Sequence, residues 1–196
     1  MADQATIALY DQQSREYAAA MAKHPEDPHL AAFIKDIPTG GRVLDLGCGP
    51  GQAAGEMAKA GLLVDATDAA AAMVEMARHH SGVTAWKATF DEIEGEDLYD
   101  GIWANFSLLH AARSDMPRHL DRIARALRPA GRFHIGLKTG RGEKRDKIGR
   151  RYTYYSEAEL KHLVEAAGLH VTDAHFGSGV GLDGELADWV VLYARG

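Results

Sequence analysis

Two carboxylates and three glycines carry the chemistry that can be read first. Asp45, Gly47, Gly49 and Gly51 stand in the run Arg42 to Gln52, R-V-L-D-L-G-C-G-P-G-Q, and Asp68 follows 21 residues after Gly47. Glycines in this arrangement leave room for a ligand where a Cβ would otherwise stand, and they expose backbone N–H groups to it. A carboxylate about twenty residues on, at the tip of the next strand, can accept from two neighbouring hydroxyls of a ribose. Asp68 could instead serve only as a helix N-cap. The dinucleotide fingerprint G-x-G-x-x-G is not met. Counted from Gly47 its third glycine falls on Gln52, and counted from Gly49 on Ala54.

The surrounding pattern supplies the elements that would hold these groups. Val43, Leu44 and Leu46 predict a first strand, and an Ala-rich helix follows the glycines and stops at Gly61. Residues 62–67 predict a second strand, 69–79 a helix, 83–87 a third strand and 99–104 a fourth. Ser114 to Pro117 opens another helix with the stripe Leu120, Ile123, Ala124 and Leu127, and residues 132–137 predict strand five. Ser156-Glu157-Ala158-Glu159 is a capping box opening a helix, and residues 170–176 and 188–194 predict two last strands around a glycine-rich loop from Gly177 to Gly184. Alternating strands and helices of this kind predict an α/β fold, a doubly wound and mostly parallel sheet.

The string D-x-G-x-G-x-G closely resembles the first motif of class I S-adenosylmethionine-dependent methyltransferases. The resemblance runs from Arg42 to Ala174. It includes a second motif at Asp68 to Met73, an F-D-x-V/I-like segment at Tyr99 to Ile102, and a turn like L-K-P-G-G at Arg128 to Gly131. It implies a Rossmann-like sheet with one antiparallel C-terminal strand and a cofactor crevice at the strand C-termini. It also implies that Asp45 organises the loop near the methionine amino group. Gly47, Gly49 and Gly51 would line S-adenosyl-L-methionine, Asp68 would hold its ribose, and Ala69 and Met73 would belong to the second motif. Cys48 fits as a small side chain packed against strand and cofactor, not as a nucleophile. Relatives often carry Asp where Thr89 stands, to hold the adenine amino group. Thr89 departs from that pattern, and Phe90 either lies against the base or joins the core.

Two flanking regions bear on the acceptor side. Residues 2–21 predict one helix with Ile7, Tyr10, Ser14, Tyr17 and Met21 on one face, before a break at Lys23 to His29 with Pro25 and Pro28. Similar methyltransferases use such a tyrosine pair as a lid over the cofactor, which makes residues 1–37 an expected N-terminal helical lid; docking of the helix on the core through both tyrosines explains the spacing equally well. Asn105, Ser107 and His110 follow strand four, where donor and acceptor should meet. His110 is a candidate general base, a substrate donor or a structural histidine. Lys138 to Tyr155 holds seven basic side chains, two acids and three tyrosines, and its net +5 leaves −11 for the rest of the chain. Read as a loop after strand five, it predicts a small anionic acceptor held by Arg141, Arg145, Arg150 and Tyr154. The same charges could tie the loop down by local pairing, or bind RNA.

Composition narrows the remainder. A chain of 196 residues, 46% hydrophobic and 26% charged, is expected to form one soluble domain. Net charge −6 argues against a surface built for nucleic acid. One cysteine excludes an internal disulfide framework, and no apolar run reaches membrane-spanning length, so a cytoplasmic location is the default. Ten histidines show no H-E-x-x-H spacing, and H-H at 79 and 80 sits at a helix end, so no metal is expected. The G-x-S-x-G elbow, the phosphate loop and the Asn/Asp-Pro-Pro-aromatic motif of base-amino methyltransferases are absent. The reading is a methyltransferase acting on a small molecule. Its alternatives are a non-catalytic S-adenosylmethionine-binding module, an RNA-directed methyltransferase and, by fold alone, a nicotinamide-dependent oxidoreductase.

Overall fold

Strand β1 (Arg42–Leu46) is buried on both faces, as its near-continuous apolar run requires. The computed structural model describes residues 2–21, 27–181 and 183–196. β1 pairs in parallel with β2 (Leu63–Asp68) on one side and β4 (Tyr99–Asn105) on the other. β3 (Val83–Lys87) extends the sheet beyond β2, and β5 (Leu127–Lys138) lies beyond β4. The full order is β3-β2-β1-β4-β5-β9-β8, with β8 (His170–Val180) and β9 (Leu186–Arg195) closing the far side. β9 runs antiparallel to both neighbours, so the one reversed strand is internal, wedged between β5 and β8.

Two apolar clusters cover the two faces. One joins Leu44 and Leu46 to Ile102, Leu120, Ile123 and Phe133; the other joins Val43 to Phe33, Met57, Val64 and Trp103. The helices α3 (Pro28–Asp36), α4 (Gln52–Lys59) and α5 (Ala71–Ala77) serve the second face. α6 (Met116–Ala126) and α7 (Glu157–Ala166) serve the first, α6 with Pro117 in its first turn and α7 opened by the Ser156–Glu159 capping box. The order reverses between β1 and β4, so a crevice opens beyond their C-terminal ends.

Four elements differ from the sequence expectation. The N-terminal helix is two, α1 (Gln4–Gln12) and α2 (Ser14–Met21), broken at Gln13; Asp3 caps α1 by accepting from the Thr6 N–H. The Pro25 break and the Met21 side chain lie outside the described residues. β5 starts at Leu127, because the Arg128–Gly131 turn is a bulge within the strand, with Ala130 at φ 62°. The basic segment is not an open loop. It is an antiparallel hairpin of β6 (Glu143–Arg145) and β7 (Arg151–Thr153), whose turn is held by Asp146 accepting from the Ile148 and Arg150 N–H groups. The first half of the expected glycine-rich loop belongs to β8. Gly177 is needed there because the Trp189 indole lies across it, and a Cβ would fall 2.2 Å from the ring.

Candidate functional site

The glycine turn is built by contacts that a side chain would block. Gly47 sits at φ 75°, and a Cβ there would lie 2.3 Å from Ser107 Cβ. The space lets Ser107 approach and donate to the Leu46 carbonyl at 2.6 Å. Gly47 and Cys48 both donate to the Thr67 carbonyl, which ties the turn to β2. Gly51, at φ 85°, is required by a neighbouring helix: its Cβ would meet Ala77 Cα at 2.7 Å. Asp45 lies beneath the turn, 3% exposed, and accepts from the Ala54 N–H at 3.1 Å. Burial pushes its carboxyl up to about 7, against the pull of that N–H. Burial also pushes the Cys48 thiol up, so it is no thiolate nucleophile.

One pocket of about 890 Å³, its open mouth included, gathers most of the residues singled out by the sequence. Gly47 and Gly49 form its floor. Asp68, Ala69 and Met73 line one wall, Thr89 and Phe90 the next, and Asn105, Ser107 and His110 the wall beyond β4. Tyr10 and Tyr17 close it from above, their rings edge to face at 5.4 Å. α1 reaches this position because Asp11 accepts from the Ala72 N–H of α5. Asp45, Cys48 and Gly51 support the floor without lining the pocket. The Asp68 carboxylate is fixed by two backbone donors, Gly49 N–H to Oδ2 at 2.9 Å and Ala70 N–H to Oδ1 at 2.8 Å. The Thr89 hydroxyl donates to Glu92 Oε2 at 2.9 Å, so its proton is not offered to a ligand.

His110 has a defined tautomer. Nδ1 lies 2.6 Å from the Arg151 carbonyl, which can only accept, so Nδ1 carries the proton. Nε2 is then an acceptor, and it receives the Tyr10 hydroxyl at 2.9 Å. Arg150 in turn donates to the Tyr10 oxygen at 3.2 Å. Burial lowers the His110 pKa to about 4, so the ring is neutral near pH 7 with its one free lone pair under the Tyr10 hydroxyl.

The four substrate contacts expected from the basic segment lie outside the pocket lining. Arg145 makes a two-pronged pair with Asp3, at 2.9 and 2.8 Å. Arg150 is buried and donates to Asp146 at 2.8 Å, with its guanidinium 5.7 Å from the Tyr10 ring and 5.2 Å from the Tyr152 ring. Tyr154 packs within the hairpin under Lys144, and Arg141 is exposed in the bend before β6. Arg145, Lys147 and Arg150 are taken by carboxylates of the chain itself, and the hairpin clasps the N-terminus of α1, with the Arg151 N–H donating to Thr6 Oγ1 at 2.9 Å. Asp3 and Thr6 were not foreseen, although D-Q-A-T is a recognisable cap-and-N3 pair. Asp91, Asp115 and His119 also line the pocket, and no sequence motif marks them.

A family model described as a methyltransferase domain matches residues 43–131. The methyltransferase GfsG of Streptomyces halstedii is 31% identical over 157 residues, which cover 70% of this chain and 56% of that protein. Over these residues the chain is similar to methyltransferases. It spans little more than half the length of that curated relative. Among solved structures, the Burkholderia thailandensis 1,6-didemethyltoxoflavin-N1-methyltransferase, with 1,6-didemethyltoxoflavin and S-adenosylhomocysteine bound, is 23% identical. It superposes with a TM-score of 0.81 over 98% of this chain and 87% of that one. The [4+2]-cyclase SpnF shares this methyltransferase-like fold at 18% identity and a TM-score of 0.73, over 96% and 93% of the two chains. Likeness at this level establishes the fold; the chemistry must be argued from the site. Among the described residues no helix is long and apolar enough to cross a membrane, and no side-chain cluster could hold a metal ion.

Proposed function

We propose that this chain is an S-adenosylmethionine-dependent methyltransferase acting on a small molecule. The observation that carries the reading is the Asp68 carboxylate, clamped by the Gly49 and Ala70 N–H groups at the tip of β2 on the wall of the glycine-floored pocket. Each oxygen keeps acceptor capacity for one ribose hydroxyl. Met73 and Phe90 offer apolar surface to a purine, and the Thr89 hydroxyl, its proton engaged by Glu92, keeps only acceptor capacity for it. The pocket also fits a cation. Asp3, Asp68, Asp91 and Asp115 line it, and among the described residues no Lys or Arg does. A sulfonium cofactor would supply an electrophilic methyl group there.

The chain's own groups do the rest. Tyr10 and Tyr17 cover the reacting region and exclude water. Rotation of the Tyr10 hydroxyl away from His110 frees Nε2, the neutral nitrogen able to take a proton from an acceptor N–H or O–H. The likeness to a methyltransferase of a small heteroaromatic molecule supports an acceptor of that size.

Calorimetric titration with S-adenosylmethionine, S-adenosylhomocysteine and NAD tests the reading. The first two should bind and NAD should not. Asp68→Ala should weaken binding roughly ten- to a hundred-fold, the value of hydrogen bonds to a charged group. NAD binding in place of the sulfonium cofactor, or a folded Asp68→Ala variant with unchanged affinity, would refute it.

A further inference from the structure

We propose that the acceptor is an uncharged, flat aromatic ring bearing an N–H or O–H, and that it lies against Phe106 at the pocket mouth beside Trp189. The inference rests on the methyltransferase reading of the same pocket and adds the substrate class.

Phe106 is the first residue beyond β4, where the crevice opens. Its backbone is left-handed, φ 53°, a conformation that a bulky aromatic residue rarely adopts. Two bonds hold it there: the Phe106 N–H donates to the Gly136 carbonyl at 2.9 Å, and the next residue, Ser107, is pinned to Leu46. The turn presents the ring to the pocket, and 37% of the residue stays exposed. A large apolar ring held in a strained backbone without being buried is better explained by a ligand than by folding. Trp189 stands at right angles to it, ring centres 6.5 Å apart, and the indole is seated across Gly177. A planar molecule can lie on the Phe106 face while the indole borders its edge.

Charge sets the second half of the proposal. Four carboxylates line the pocket, Asp3, Asp68, Asp91 and Asp115, while among the described residues no Lys or Arg does; Arg145 and Arg151 reach Asp3, and Arg118 reaches Asp91 and Asp115, from outside the lining. His110 and His119 are both kept neutral by burial. A carboxylate or phosphate would enter an enclosure lined by carboxylates and, among the described residues, by no Lys or Arg. The polar donor on this side is the Asn105 amide. Its Oδ1 accepts from the buried His134 Nε2 at 3.1 Å, and its Nδ2 meets Asp27 only at 3.5 Å, which leaves donor capacity for a ring nitrogen or carbonyl. In the transfer the acceptor's lone pair forms the new bond to the methyl carbon. The carbon–sulfur bond breaks with its electron pair left on sulfur, and the acceptor proton passes to His110 Nε2.

The test titrates the protein saturated with S-adenosylhomocysteine with probes of one size. Quinolin-4-ol and 2-naphthol are flat and uncharged, quinoline-4-carboxylate is flat and anionic, and decahydronaphthalen-2-ol is uncharged but not flat. The flat uncharged probes should bind at least roughly tenfold tighter than the other two. Phe106→Gly should abolish that preference while melting no lower than the parent, since glycine relieves the backbone strain. Equal or tighter binding of the carboxylate or of the saturated probe would overturn the proposal. So would binding indifferent to Phe106→Gly, or no binding of the flat probes at millimolar concentration. Failure of S-adenosylhomocysteine itself to bind would refute the underlying methyltransferase reading instead.

Discussion

Asp45→Asn should shift the protein's stability by an amount that depends on pH, increasingly in the variant's favour as pH rises. In the unfolded chain Asp45 titrates near 3.8; in the fold burial raises it to about 7. Between these values the native state holds a proton that the unfolded state has released. Stability therefore falls as pH rises through the window and levels off above it. Each unit of difference is about 1.4 kcal/mol, so the ionisable side chain costs roughly 3 kcal/mol more at about pH 8 than at about pH 5. Asparagine keeps the acceptor for the Ala54 N–H and has no proton to lose. Its amide N–H₂ has no assigned partner in this buried place, a cost of about 1–3 kcal/mol that is the same at every pH. The pH-dependent difference isolates the titration. Urea unfolding of both proteins at the two pH values should show the variant gaining about 3 kcal/mol on the parent between them. That corresponds to about 6–12 °C in Tm for a chain of this size. A stability difference equal at both pH values would refute the reasoning, because it would mean that Asp45 ionises in the fold as it does in the unfolded chain.

Gly47→Ala should destabilise the fold by about 2–4 kcal/mol, since the new methyl meets Ser107 and the backbone is left-handed; Gly61→Ala, with the same handedness and open space, should cost only about 1 kcal/mol, both read by urea denaturation. Arg145→Glu should leave the sheet intact but release α1 from the hairpin, seen as lost hydrogen-exchange protection confined to residues 4–12. His110 should titrate near pH 4 by NMR; its folded pKa lies below the unfolded 6.5, so its contribution to stability is lost as pH falls through that interval.

The sheet was legible because its strands are local and apolar: Val43–Leu46, Leu63–Thr67 and Ile102–Ala104 announce themselves without knowledge of their partners. Their order was not legible, because periodicity says nothing about which strand lies beside which. The floor and one wall of the pocket were legible for a related reason. Gly47, Gly49 and Asp68 are constrained by contacts within one strand-turn-helix unit and its neighbour, so their spacing encodes their geometry. Even here the cause was sometimes misassigned. Gly51 reads as cofactor space and is helix packing against Ala77, a contact whose partner is 26 residues away.

The basic hairpin was illegible because the sign of a charge is local and its partner is not. Seven cations in one stretch invite an anionic ligand, yet the carboxylate that engages Arg145 is Asp3, 142 residues earlier in the chain. Lys147 meets Glu185, 38 residues later, and Arg150 meets Asp146 inside the same turn. Each pairing removes a cation from the inventory available to a ligand, and none can be inferred before the fold is known. The same pairing gives the segment a different role. By gripping Asp3 and Thr6 and by placing the Arg151 carbonyl against His110, the hairpin fixes both the start of α1, which carries Tyr10, and the tautomer of His110. The basic hairpin thus determines which nitrogen of His110 faces the pocket, and it does so through a backbone oxygen that carries no charge at all.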